Sequence, residues 1–149
     1  GRVDDPRQFA ARATALVHAS DEEGFAMVLT EAMSARCPVI AADAVGGGPR
    51  FVTGDGRFGM LVPRGDPASL SHSMERMLAP AVREWYAELA LMRGETFSPV
   101  SCARTLIDYV GALEQPGAGR STDDRFTGVG WWDGAEVDHH AQLSTLGSE

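Results

Sequence analysis

Apolar residues in this chain fall into short unbroken runs, separated by longer stretches in which they recur every three or four positions. That is the pattern of buried strands alternating with amphipathic helices. Residues 15–20 (Ala-Leu-Val-His-Ala-Ser) and 38–42 (Pro-Val-Ile-Ala-Ala) read as buried strands, and 58–62 (Phe-Gly-Met-Leu-Val) as a third. Residues 25–35 contain no helix breaker and stop ahead of Pro38, so they predict a helix. Residues 6–14 predict a short amphipathic helix, with Asp5 as N-cap, Pro6 at the first position and Phe9 and Ala13 facing inward. Arg50, Phe51 and Val52 start another short helix, and 53–56 form a turn. Asp66 and Pro67 open a helix with Leu70, Met74, Met77 and Leu78 on one face, which Pro80 ends. A helix over 81–93 carries Trp85, Leu89 and Met92 on its apolar side, with Gly94 as its stop. A last helix, 99–113, has Cys102, Leu106, Tyr109, Val110 and Leu113 in a stripe.

Strand, helix and strand in this order make a βαβ unit, and the class is α/β: a Rossmann-like parallel sheet with flanking helices. In such sheets ligands bind beyond the carboxyl ends of the strands. The loops containing Glu23 and Gly46 to Gly48 both follow predicted strands and are expected on that edge. From Gln115 the apolar period is lost and Pro, Gly, Ser and Asp dominate, dividing the chain into a domain over 1–114 and a flexible linker and tail over 115–149.

Composition narrows the function classes. A chain of 149 residues with 44% hydrophobic and 23% charged content can bury a sizeable core. A net charge of −8 argues against nucleic acid as a main partner. All 13 basic residues are arginine. Cys37 and Cys102 have no ligand-like spacing and read as two reduced, partly buried thiols, which fits a cytoplasmic protein. No run approaches the ~18 apolar residues of a membrane span.

The chemistry gathers around residues 23–33, Glu-Gly-Phe-Ala-Met-Val-Leu-Thr-Glu-Ala-Met. Glu23 and Gly24 precede a helix start, where backbone N–H groups lack partners and anions are favoured, so the N–H groups of Phe25 and Ala26 are candidate phosphate donors. Glu31 follows Glu23 by eight residues. On a helix that separates the carboxylates by roughly 10 Å, which suits two ends of an extended ligand better than one acid/base pair. Gly46, Gly47 and Gly48 permit close backbone approach and positive φ. Ser20 is read as capping the loop and His18 as a core histidine. Asp133, Glu136, Asp138, His139 and His140 match no standard metal spacing and read as a solvated tail. Trp131 and Trp132 could dock on a surface.

The series Ser20-x-x-Glu23-Gly24-Phe25, Glu31-Ala32-Met33, Pro38 to Ala41, Gly46-Gly47, and Gly59-x-Leu61-Val62-Pro63-x-Gly65-Asp66-Pro67-x-x-Leu70 resembles the donor-binding half of retaining GT-B glycosyltransferases of family 4, the group 1 type. The resemblance covers about residues 1–113 in order and approximate spacing. It implies the C-terminal half of a GT-B fold, truncated at its N-terminal side, with further strands, the basic residues for the diphosphate and a whole acceptor-binding domain upstream of Gly1.

The implied reaction moves a sugar from a nucleotide diphosphate sugar to an acceptor hydroxyl with retention, without metal or cofactor. By resemblance Glu31 receives the ribose hydroxyls, and Glu23 contacts the sugar or stabilises the reacting carbon as the catalytic residue. Gly24, Phe25, Ala26 and Gly46 to Gly48 line the donor pocket. Ala26 stands where the family often has glycine and should narrow that pocket slightly. Arg36 also replaces a usual glycine, and Arg50 a frequent glutamate, either weakening sugar recognition or adding a phosphate contact. The implied partners are the donor itself and an N-terminal acceptor domain or partner chain, which would carry any peripheral membrane contact. The last helix would normally pack toward that absent half, so its apolar stripe is expected to lie exposed or to drive self-association. A second reading is a non-catalytic, truncated module that binds a nucleotide or pairs with another chain.

Overall fold

The structure, a computed structural model, describes residues 3–113. The linker and tail read into 115–149, with Trp131, Trp132 and the acidic and histidine group from Asp133 to His140, lie outside the described residues.

Three parallel strands, β1 (Leu16–His18), β2 (Val39–Ala42) and β3 (Met60–Val62), form a sheet in the order β1-β2-β3. Leu16 pairs with Val39, and Ile40 with Met60. β2 is central and buried along its whole length, as its unbroken apolar run requires. Each strand is shorter than the run that announces it, because pairing ends where neighbouring loops diverge. The helices are α1 (Arg7–Ala10), α2 (Met27–Ser34), α3 (Gly48–Thr53), α4 (Pro67–Met77), α5 (Pro80–Thr96) and α6 (Pro99–Leu113). This is the expected Rossmann-like α/β architecture.

The core lies on the two faces of the sheet. One face gathers Leu29, Ala32 and Met33 of α2 with Val39, Ala41, Val52 and Ala90. The other gathers Ile40, Ala42, Met60, Val62, Met77 and Tyr86. Local chemistry sets several ends. Asp66 caps α4 by accepting from the N–H groups of Ala68 and Ser69, both at 3.0 Å. Pro80 closes the approach from α4 and begins α5.

Tertiary packing overrides the helical stripes in three places. α1 is a single turn, too short to hold a buried face, so Phe9 and Ala13 are exposed and only Ala10 packs on the core. α4 buries Ser73 and Met77 and leaves Met74 and Leu78 in solvent. α5 turns Tyr86, Ala87, Ala90, Arg93 and Gly94 inward and leaves Met92 exposed. Gly94 does not stop α5, which runs on to Thr96; a Cβ there would lie 2.6 Å from the Ser34 backbone nitrogen, so glycine lets α5 cross α2. α6 buries no residue, and Leu106, Ile107, Val110 and Leu113 are exposed, as expected for the last helix.

α2 ends in a Schellman motif. The Arg36 N–H donates to the Met33 carbonyl and the Cys37 N–H to the Ala32 carbonyl, with Arg36 at φ 60°. That left-handed position favours glycine, which is the physical content of the family's usual residue there. Arg36 holds it while pairing with Glu84 and Glu88, one turn apart on α5. Of the two free thiols only Cys37 is buried, which pushes its pKa up; Cys102 is exposed rather than partly buried.

Candidate functional site

The loops after β1 and β2 meet at the carboxyl edge of the sheet. The Glu23 N–H donates to the Val45 carbonyl at 2.9 Å and the Val45 N–H to the Asp21 carbonyl at 3.0 Å. The Gly48 N–H reaches the Glu23 carbonyl at 3.4 Å. The glycines serve this loop-to-loop contact. A Cβ on Gly46 would sit 2.6 Å from the Glu23 carbonyl oxygen, and one on Gly48 2.6 Å from that of Gly24. Gly48, which lacks a positive φ, opens α3 and does not belong to the loop proper. Gly47 (φ 76°) and Gly24 would have open space at their Cβ positions, so at these two the backbone is bare toward the outside.

α2 starts at Met27, later than the apolar run predicts, because Ala26 adopts a left-handed conformation (φ 63°, ψ 56°). The separation of roughly 10 Å between the two carboxylates assumed helix through that stretch, and the chain does not provide it. The Ala26 methyl is buried in the core, so it does not narrow a pocket. The Ala26 N–H is taken by Glu23, whose Oε1 accepts it at 3.1 Å. Glu23 Oε2 faces His18 Nε2 at 3.5 Å, and Ser20 Oγ lies 3.3 Å from the same nitrogen. His18 ends β1, so the strand delivers its imidazole to the loop that carries Glu23. It is not the satisfied core histidine that its apolar surroundings suggested: its Nδ1 is buried without a partner.

Glu31, partly buried on α2, lines a cleft of about 680 Å³ with Arg7, Thr30, Ser34, Phe97 and Pro99 among its walls. The Arg7 guanidinium is within electrostatic reach of its carboxylate. Gly47 lines a different cleft, of about 490 Å³, with Arg50, Phe51, Asp55, Phe58 and Arg93. A cluster of three rings stands between the two. Phe25 meets Phe51 at 6.1 Å and Phe97 at 5.7 Å, so the residue expected to offer its N–H also plants its ring on this ridge. Glu31 and Gly47 thus line different clefts, parted by the rings of Phe25, Phe51 and Phe97.

Arg93 organises the ridge from beneath. It is 6% exposed, and its Nε and Nη2 donate to the carbonyls of Val52 (3.0 Å) and Phe51 (2.7 Å), the last turn of α3. Its guanidinium lies over the rings of Phe51, Phe58 and Phe97 at 4.8 to 5.6 Å. Burial pulls its pKa down from the ordinary arginine value. Arg50 is held by Asp43 and Asp55, so its charge is balanced within the protein.

Sequence reasoning missed His18 and Arg93. For His18 the signal was its place as the last residue of a buried run, just before an acidic loop. For Arg93 it was a spacing of three from Ala90 and seven from Tyr86, which puts it on the small-residue face of α5. Among the described residues no group of three or more metal-ligating side chains is assembled, and no helix is long and apolar enough to cross a membrane.

Known proteins resemble this arrangement. The chain is 31% identical over 111 residues to the N-acetylgalactosamine-N,N'-diacetylbacillosaminyl-diphospho-undecaprenol 4-alpha-N-acetylgalactosaminyltransferase of Campylobacter jejuni, covering 74% of this chain and 30% of that one. It is 41% identical over 90 residues to the phosphatidyl-myo-inositol mannosyltransferase of Mycobacterium leprae, covering 58% and 24%. Among solved structures it superimposes on sucrose-phosphate synthase from Thermosynechococcus elongatus with a TM-score of 0.62 and 28% identity, covering 70% of this chain and 26% of that one. It thus spans less than a third of the length of each of these proteins. The family profile described as "Glycosyl transferases group 1" matches residues 1–80, which hold the Glu23 loop, α2, the glycine loop and β3, and the chain belongs to that family.

Proposed function

We propose that this chain is the donor-binding part of a glycosyltransferase that moves a sugar from a nucleotide diphosphate sugar to an acceptor hydroxyl with retained anomeric configuration. The observation that carries the reading is the placement of Glu23 and Glu31, within a family-matched segment, on the loop and helix that follow β1. Glu31 is the ribose ligand: a carboxylate has two acceptor oxygens for two vicinal hydroxyls, and this one opens on a cleft. Glu23, fixed from two sides, faces the sugar near the reacting carbon. Gly24 and Gly47 admit the ligand where the backbone is bare, and with the Ala26 N–H held by Glu23 the Phe25 N–H is the donor that faces the diphosphate. The chemistry uses no metal or cofactor. The two free thiols suit a reducing, cytoplasmic compartment.

Isothermal titration of the chain with UDP, GDP and ADP, repeated on Glu31→Gln, tests this. Saturable binding of one nucleotide, weakened roughly tenfold or more by the substitution, is expected. Binding unaffected by Glu31→Gln would refute the ribose assignment. The second reading, a module that acts by pairing with another chain, draws on the exposed apolar residues of α6. No binding to any of the three nucleotides, together with self-association or capture of a partner through α6, would favour it.

A further inference from the structure

Within this donor-site reading, we propose that His18 is a positioning residue for Glu23, donating from Nε2 to hold the carboxylate in place. The imidazole is 12% exposed, and its Nδ1 is buried with no partner. An imidazolium, or the neutral form protonated on Nδ1, would bury an N–H with no acceptor. The neutral form protonated on Nε2 leaves only a lone pair unmatched there, the smaller loss. The environment therefore selects the Nε2–H tautomer. Two acceptors lie against Nε2, Ser20 Oγ at 3.3 Å and Glu23 Oε2 at 3.5 Å.

Glu23 is then gripped at both oxygens. Oε1 takes the Ala26 N–H at 3.1 Å, and Oε2 faces His18. Two contacts from different sides fix the plane of a carboxylate that would otherwise rotate, and that is what a group poised beside a reacting carbon needs. At 3.5 Å the histidine contact is long for a hydrogen bond, as such contacts commonly are before a ligand closes the site. A Ser-His-Glu nucleophilic relay is excluded by the same geometry. A relay uses opposite ring nitrogens, one accepting from serine and the other donating to the carboxylate; here both partners sit at Nε2 and Nδ1 faces neither.

The test begins with ¹⁵N NMR of the imidazoles in the full chain, His18 being assigned by the signal lost in His18→Gln. At neutral pH His18 is expected as the Nε2–H tautomer, and Glu23→Gln should shift its Nε2 signal, because the carboxylate that faces this nitrogen is lost. An Nδ1–H tautomer, or an Nε2 signal unmoved by Glu23→Gln, overturns the proposal. Titration calorimetry then compares UDP-glucose and GDP-mannose with UDP and GDP. His18→Leu should weaken the bound nucleotide sugar at least about tenfold more than its bare nucleotide, and His18→Gln, which keeps an N–H donor, should restore most of the loss. Equal binding by wild type and His18→Leu would count against positioning. Wild-type failure to bind any of the four would sink the donor-site reading alone, leaving the His18 and Glu23 contact to be decided by the NMR result.

Discussion

Replacing Gly94 by alanine should destabilise this protein, although the same change in an ordinary helix interior stabilises it. Gly94 lies in the last turns of α5, where helix propensity alone favours alanine by about 1 kcal/mol. The added Cβ would meet the Ser34 nitrogen at 2.6 Å, the Met33 carbonyl carbon at 2.7 Å and the Ser34 Cα at 2.9 Å. All three are backbone atoms of α2 and cannot swing aside as a side chain would. α5 must back away by several tenths of an ångström, loosening the contacts of Ala90 with Leu29 and Met33, all of them fully buried. A gap of that size forfeits a quarter or more of the dispersion attraction across it. Overpacking of this kind costs about 1–3 kcal/mol, and three backbone atoms closer than 3.0 Å put this case at the upper end, so subtracting the propensity gain leaves a net loss of about 2 kcal/mol. In a domain of this size that lowers the melting temperature by roughly 4–8 °C. Gly111 on α6 is the internal control. A Cβ there meets nothing within 4 Å, so Gly111→Ala should be neutral or stabilising by up to about 1 kcal/mol. Urea unfolding followed by far-UV circular dichroism reads both variants, with an unchanged slope showing that the shift lies in stability. If the two substitutions move the midpoint in the same direction, the close crossing of α5 over α2 is wrong.

Three further outcomes can be checked by ordinary methods. Ala26→Gly should stay within about 1 kcal/mol of wild type, because relief of the left-handed conformation at φ 63° offsets the lost methyl burial; a loss above ~2 kcal/mol by urea titration would refute that balance. Asp66 has its pKa lowered by the Ser69 hydroxyl and by backbone N–H groups, so its contribution is full above the ordinary aspartate value near ~3.9 and fades as pH falls through the lower folded value. Asp66→Asn should accordingly flatten the melting temperature against pH below about pH 4, and parallel curves for the two proteins would contradict it. In native protein iodoacetamide should modify exposed Cys102 and spare buried Cys37 until unfolding, whereas equal rates by mass spectrometry would contradict the burial of Cys37.

The order of elements was legible in the sequence because it is written in local chemistry. Unbroken apolar runs mark β1, β2 and β3, while Pro67, Pro80 and Pro99 each open a helix and Asp66 caps one. The spacing from Glu23 to Leu70 carried the family, since a motif survives as a one-dimensional pattern whatever packs around it. It also put the loops after β1 and β2 on one edge, which follows from parallel strands alone.

The tertiary structure decided what depends on a neighbour. The stripe of large apolar residues found only one of the packed faces of α5: Trp85 and Leu89 pack against the core around Tyr86, whereas the face toward α2 carries Ala90 and Gly94 because α2 approaches so closely, with Arg93 reaching past to the carbonyls of α3. Gly46 and Gly48 read as glycines for a ligand, and the structure shows a demand on them that the sequence did not, the close approach of the Glu23 loop, since the atoms a Cβ would strike belong to a segment more than twenty residues away. His18 read as core because its strand neighbours are apolar, yet the partners at its Nε2 lie in the loop that follows. Periodicity records which residues avoid water; it cannot record which atoms stand opposite them, and that is set only when the chain closes on itself.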